Sequence, residues 1–399
     1  MQILGLDVSK SSVSACLISS KPDNPRQFYY ECPFYRFSAD AKGIKEMLAL
    51  KPDIAVMEPT GVNYARLWGT HLARAGVEVR LVGHKELRSY RAYHLALPDK
   101  DDDADALALA CYGLEYFNDR RRFVQIRDRL TAHIRELVLR LAHLNRVQSP
   151  IINRIRQDLA WQFPEVALVR SQRISVEVPL LWGWLAGERK STRYERLYNN
   201  TVGLGISSTA RYHAQRICSL QREEHEIEQE LIQMLAEPCF VPYLQVFARF
   251  NFGNRLTAVL ISQIYPFEGY LGEDGKPEIA IANGRKSGKL TKRHLSERRF
   301  LKSLGVAPSL NSSGDSHKHR VIGGSDLCRR ALWQWVFSCI EPKRRRPKNP
   351  IGQQLGNYID AEKAAGKPVQ LVRSRTSAKG AKLLFKELVK MPTHTNLLE

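Results

Sequence analysis

The stretch Lys100-Asp101-Asp102-Asp103-Ala104-Asp105-Ala106 places four carboxylates in five positions of a chain whose formal net charge is +20. Acids crowded this way repel one another unless a cation or a solvated surface relieves them, so the fold must supply one or the other. The run Ala106-Leu107-Ala108-Leu109-Ala110 that follows is strongly helix-forming. The acids then fall in a first helical turn, where the helix dipole tolerates them. A spacing of three puts Asp102 and Asp105 on one face, close enough to share an ion. Read alone, the cluster is equally an acidic start that only caps a surface helix.

The rest of the charge is distributed against this cluster. Residues 1–119 hold 14 Lys+Arg and 16 Asp+Glu, a net of −2, so the remaining chain carries +22. A basic balance of that size, in separate clusters, points to nucleic acid, because each neutralised phosphate releases condensed counterions. At 399 residues the chain is long enough for two or three domains. It has no apolar run of 18 residues, and Met1-Gln2-Ile3-Leu4-Gly5-Leu6-Asp7 reads as a strand rather than a signal peptide, so a cytoplasmic protein with no membrane partner is expected. The seven cysteines form no C-x-x-C pair, which suggests neither a zinc site nor a disulfide framework.

Along the chain, Ile3–Val8, Val13–Ile18 and Phe28–Phe37 read as three extended runs at hairpin spacing, hence an antiparallel meander in which Asp7 ends the first strand. Ala39–Leu50 reads as a helix, Ile54–Met57 as a buried strand ending in Glu58, Asn63–Ala75 as a helix and Val77–Val82 as a strand. Three antiparallel strands followed by β-α-β units is the order of the ribonuclease H-like fold. In it Asp7, Glu58 and the Asp102/Asp105 pair reach one edge of the sheet. Pro59-Thr60-Gly61 is a tight strand-to-helix turn, or an ordinary loop.

From Leu130, apolar residues recur at Ile134, Leu137, Leu141, Leu144 and Val147, a heptad seam expected to break or bend near Pro150 and resume through Ile155 and Leu159. A second seam runs Ile217, Leu220, Ile227 and Leu231. Two long amphipathic helices serve an antiparallel coiled coil, a dimerisation element or an ordinary bundle. After Pro238, Phe252-Gly253-Asn254-Arg255 opens a helix over Leu256–Ile264 in the manner of a helix-turn-helix. Residues 284–302 carry eight basic residues against the single acid Glu297. Arg285, Lys286, Lys289, Lys292 and Arg293 are taken from this segment as nucleic-acid contacts, with Lys318, Arg320, Arg329 and Arg330 from the next. Gly305–Gly314 reads as a loop of small residues, and Ser325 as the cap of a helix with Trp333 and Trp335. The tail from Glu341 has 13 Lys+Arg and 5 acids, as a linker followed by a nucleic-acid arm that orders on binding. The expected division is therefore an α/β catalytic domain at 1–119, coiled-coil helices with an insert at 120–237, a mainly helical domain at 238–340 and a basic tail at 341–399.

Four features in this order, Gly5-Leu6-Asp7-Val8-Ser9-Lys10, Met57-Glu58-Pro59-Thr60-Gly61, Lys100–Ala106 and Ser312-Ser313-Gly314 after Gly305-Val306-Ala307-Pro308, resemble the DEDD transposases of the insertion-sequence 110 family, relatives of the Piv DNA invertases. The resemblance implies a RuvC-like N-terminal domain whose metal ligands are Asp7, Glu58, Asp102 and Asp105, with Asp101 standing where threonine is usual. It implies a serine nucleophile, Ser313, attacking the scissile phosphate of DNA to give a covalent phosphoserine link. It also implies a structured non-coding bridge RNA as guide. The expected protein is a prokaryotic recombinase acting at the nucleoid, and the coiled coil makes a homo-oligomer the natural assembly.

The residue types allow that chemistry: hard oxygen ligands select Mg²⁺ or Mn²⁺, and a serine hydroxyl needs a metal or a base to act at neutral pH. Three other readings stay open: a metal-dependent junction resolvase or nuclease using water, a non-catalytic RNA- or DNA-binding scaffold, and a sugar-kinase-like ATPase. The last lacks a convincing glycine-rich phosphate loop.

Overall fold

The computed structural model describes Met1 to Met391 apart from residues 60–63, 98–99, 125–126, 172–176, 284–287, 314–315 and 322, with 309–313 and 316–320 described by backbone alone. The chain divides into two compact units, Met1–Arg127 and Asp128–Glu399.

The first unit is built on a five-stranded sheet. Its elements are β1 (Ile3–Val8), β2 (Ser12–Ile18), α1 (Pro25–Glu31), β3 (Tyr35–Ser38), α2 (Ala41–Ala49), β4 (Ile54–Met57), α3 (Tyr64–Arg74), β5 (Glu78–Leu81), α4 (His84–Ser89) and α5 (Asp102–Glu115). The strand order is β3-β2-β1-β4-β5, with β1 antiparallel to β2 and parallel to β4. This is the ribonuclease H-like arrangement. Both faces of β1 are covered, so its side chains divide by the two-residue period of a strand. Leu4, Leu6 and Val8 enter the core formed with α2 and α3, while Ile3 enters the core formed with α5. Gly5 and Asp7 alternate with Leu4, Leu6 and Val8 and so share Ile3's face.

One expected strand was too long. Residues 25–31 form α1, not the first half of a third strand, because the Asn24 side chain accepts from the Gln27 amide at 3.2 Å and Pro25 occupies the first turn. Only Tyr35–Ser38 pairs with β2. The local cap signal outweighs the aromatic content of Phe28-Tyr29-Tyr30.

The second unit is mainly helical. Helix α6 (Arg129–Gln162) runs through Pro150 without interruption, and α9 (Ser208–Leu235) lies antiparallel to it. His133 pairs with Glu230, Arg140 with Glu223, and Gln148 with Gln221, so rising numbers on one helix meet falling numbers on the other. Between them α7 (Leu180–Ala186) and α8 (Thr192–Asn199) close a small core around Phe163, Trp182 and Ile217. Helices α10 (Val241–Ala248) and α11 (Asn254–Ile264) follow. Helix α11 is buried over most of its length and is the centre of this unit rather than a reading helix.

Beyond it come the hairpin β6 (Ile279–Asn283) and β7 (Leu290–His294), α12 (Leu295–Ser303), a second hairpin of β8 (Pro308–Ser313) and β9 (Ser316–Val321), and α13 (Asp326–Trp335), capped by Ser325 as expected. Where a loop of small residues was expected, residues 308–313 are a strand. The remaining helices are α14 (Pro350–Ala364) and α15 (Val369–Leu388). The tail is therefore not an arm: Leu355, Ile359, Val372, Leu384 and Leu388 belong to the same core as α6, α11 and α13. Several of its basic residues pair within the unit. Arg346 makes two bonds to Asp360 at 2.8 and 2.7 Å, and Arg373 and Lys363 converge on Glu341. The composition of the segment suggested an arm because its excess of 13 Lys+Arg over 5 acids masked apolar residues spaced at three and four.

Candidate active site

The site is assembled by a close approach. A Cβ built on Gly5 would lie 2.0 Å from the carbonyl oxygen of Ala106 and 2.5 Å from the amide nitrogen of Ala110. Only glycine lets the backbone of α5 lie this near β1, and the small residues Ala104, Ala106, Ala108 and Ala110 keep the contact flat. This brings the first turn of α5 over the end of β1, where Asp7 stands. Parallel pairing of Leu6 with Met57 sets Glu58, the next residue of that chain segment, beside the same end.

The electrostatics show that the four acids share one neighbourhood. Burial pushes the Asp7 carboxyl up to about 7, aided by the charges of Asp105, Asp102 and Glu58 and by a hydrogen bond with Asp102. Asp105 is also raised, first by burial and then by Glu58, against the opposing pull of Arg91 and Lys100. Among the described residues no three carboxylate, histidine or cysteine side chains stand close enough to form a ready-made metal cage. Two basic partners draw the outer acids aside. His84 Nδ1 lies 2.8 Å from Glu58 Oε2, and buried Arg91 places Nη1 3.1 Å from Asp105 Oδ1. The latter is an ion pair by distance only, since Arg91 Nη1 has no aligned hydrogen-bond acceptor.

The other two acids of the cluster have different work. Asp101 caps α5, accepting from the Ala104 amide at 2.6 Å and from the Tyr29 hydroxyl. Asp103 faces Arg36 at 3.4 Å. His84, Arg91, Tyr29 and Arg36 were invisible to sequence reasoning. They approach the acids only through tertiary packing, and Arg91 lies in a π-helical turn over Tyr90–His94 that no local pattern announces.

Ser313 belongs to the second unit. It ends β8 opposite Ser316, at the tip of its hairpin. Of the expected nucleic-acid contacts, Lys289 precedes β7, Lys292 and Arg293 lie on it, and all three are exposed. Arg329 and Arg330 lie on α13 and both pair with Asp326. Lys318 and Arg320 lie on β9, whose side chains are outside the described residues, as are Arg285, Lys286, Thr60, Gly61 and Gly314 altogether.

Comparison with known proteins places this geometry. The family model of the DEDD transposases of the IS110 group matches residues 4–164, the span that holds all four acids. A second model, described as transposase of the IS116/IS110/IS902 family, matches residues 287–349, which contain Ser313. Together they cover more than half of the chain. Two solved structures align over the first unit. Thermus thermophilus RuvC covers 32% of this chain and all of its own at 12% identity and a TM-score of 0.23, and T. thermophilus RuvC in complex with Holliday junction substrate covers 31% and all of its own at 13% and 0.22. Curated proteins give no match. With an N-terminal match that spans the gathered acids and a C-terminal match that spans the serine hairpin, the chain belongs to the IS110 family of transposases.

Proposed function

We propose that this transposase cleaves and rejoins DNA with Ser313 as nucleophile and with a divalent cation, Mg²⁺ or Mn²⁺, held by Asp7, Glu58, Asp102 and Asp105. The observation that carries the reading is the convergence of those four carboxylates from β1, the end of β4 and the first turn of α5. Natural folds seldom crowd several acids into a partly buried space, with fewer basic partners than acids, without use for them. The donors are all hard oxygens, which suits Mg²⁺ or Mn²⁺, and a doubly charged ion would offset the burial and repulsion that together hold Asp7 up near 7. When bound there, such an ion offsets charge developing on the reacting phosphate and favours the hydroxyl as nucleophile.

The protein's own groups supply the rest. The Ser313 oxygen would form a bond to phosphorus as one phosphodiester P–O bond breaks; the serine proton ends on the DNA hydroxyl that leaves, and the serine phosphodiester conserves the bond for rejoining. His84 and Arg91 orient Glu58 and Asp105 through the contacts above. Ser313 and the acids lie in different units, so the reading requires them to be presented together, within one chain or between copies in a homo-oligomer. DNA is the substrate, as element ends and target. A structured non-coding guide RNA is the proposed specificity factor, supported by the +22 beyond residue 119 and by the family. Among the described residues no single helix is long and apolar enough to cross a membrane. A cytoplasmic protein acting at the nucleoid is proposed with that reading.

The test is to incubate the protein and its co-purifying RNA with Mg²⁺ and labelled DNA carrying the element ends, then look for a protein–DNA adduct that survives denaturant. The adduct should vanish in Ser313→Ala and in Asp102→Ala. Cleavage with free ends and no adduct would replace Ser313 by water, and an adduct that persists in Ser313→Ala would remove the serine from its role.

A further inference from the structure

In the first unit, away from the four acids, two thiols face each other. Cys16 lies in the middle of β2, fully buried, and Cys32 caps the C-terminus of α1, half-buried, with 3.5 Å between their sulfurs. We infer that Cys16 and Cys32 form an oxidisable dithiol that closes to an intramolecular disulfide when a hydroperoxide reaches Cys32. The pairing is asymmetric in the way such chemistry needs. The hydrogen bond from Cys16 lowers the Cys32 thiol from its ordinary range, against burial and Asp103, while the same bond and burial push Cys16 up. Cys32 is thus the more exposed and more acidic of the two, and Cys16 is a sheltered resolving thiol.

The steps balance. The Cys32 thiolate attacks one peroxide oxygen and the O–O bond breaks. Hydrogen peroxide releases water after taking a proton, and the sulfur becomes a sulfenic acid. Cys16 then attacks that sulfur, its proton leaves with the hydroxyl as a second water, and the S–S bond forms. Two thiols lose two electrons, which the peroxide receives. The bond would tether α1 to β2. Helix α1 also carries Tyr29, whose hydroxyl donates to Asp101, the cap of the helix that bears Asp102 and Asp105. The oxidation state of the pair is therefore linked to the element that positions the acids. Cys111, buried on α5 in the same core, is the competing thiol.

The experiment treats the full chain with stoichiometric hydrogen peroxide, blocks remaining thiols, and maps non-reduced tryptic peptides by mass spectrometry. The expected result is a linked pair of the peptides spanning 11–26 and 27–36, about 2 Da lighter than their sum and separated again by dithiothreitol. Two of the seven thiols are lost. In Cys16→Ser the linked pair is absent and Cys32 is trapped as a sulfenic acid by dimedone. In Cys32→Ala thiol loss at Cys16 stops. Both thiols still alkylating after peroxide, or a link from Cys32 to Cys111 instead, would overturn the assignment, and the unmutated chain decides this even if a variant fails to fold.

Discussion

Around the start of α5, acids from three segments crowd together, with His84, Arg91, Lys100 and Arg36 as basic neighbours among the described residues; around Glu341, in the other unit, a single acid is gripped by Arg373 and Lys363. Both segments read from sequence as charge runs. In the first, like charges are forced close, and burial and repulsion lift Asp7 to about 7. In the second, burial would lift the Glu341 carboxyl, but Arg373 and Lys363 outweigh it and hold the group below the usual range. A charge run in a folded protein can therefore be one of two things: like charges forced together, which hold a carboxyl protonated and point to a candidate site, or paired charges, which hold a carboxyl ionised within the packing.

The comparison breaks most visibly on Asp102→Asn. Removing one acid should lower DNA cleavage about a hundredfold to a thousandfold, the scale of losing one preorganised charge-stabilising group from an active site. The same change should leave the melting temperature unchanged or higher, because a repulsion is relieved. A drop in both, measured by cleavage assay and calorimetry, would mean the acids stabilise the fold. Next in size is Gly5→Ala, whose new methyl group meets the α5 backbone. It should cost about 3 kcal/mol in chemical denaturation and remove cleavage by pushing α5 off β1. Little change in either would show that the close approach is dispensable.

On the matched side, Glu341→Gln should destabilise the protein by about 2 kcal/mol, since two partly buried cations lose their partner. Urea unfolding checks this, and a neutral result would place Glu341 among surface ion pairs. The smallest effect concerns Glu115. Burial opposes ionisation there, but hydrogen bonds from Lys21, Tyr90 and Tyr116 draw its pKa down to about 2. A lowered native value adds stability that is complete above the unfolded value of 4.5 and is lost as pH falls through about 2. The group is partly exposed, so the loss between pH 4.5 and 2 is about 1 kcal/mol or less. Glu115→Gln should flatten that portion of the stability–pH curve, and an unchanged slope would assign it to other carboxylates.

Much of the first unit was legible because its signals are local and periodic. Ile54–Met57 is an uninterrupted apolar run of strand length, Ile3–Val8 is apolar apart from Gly5 and Asp7, and the Ala-Leu run after Asp105 states its helix outright. Asp7 and Glu58 were legible as strand-end acids. The misreadings came where two local signals compete. Asn24-Pro25 overrode the aromatic strand pattern of Phe28-Tyr29-Tyr30, and in 341–399 the basic excess masked the apolar spacing that builds α14 and α15.

The sequence by itself determined the strand–helix order from Ile54 to Leu81 and the start of α5, the presence of two long amphipathic helices, and which acids and which serine motif to look at, because each rests on spacing or on a family pattern carried by contiguous residues. Tertiary structure alone decided what surrounds them. That Asp101 caps while Asp102 joins Asp7, that His84 and Arg91 hold Glu58 and Asp105, and that Cys16 meets Cys32 all depend on how segments dozens of residues apart pack. Such contacts are set by close approaches like that of Gly5 to Ala106, where a backbone separation, not a residue pattern, chooses the neighbours.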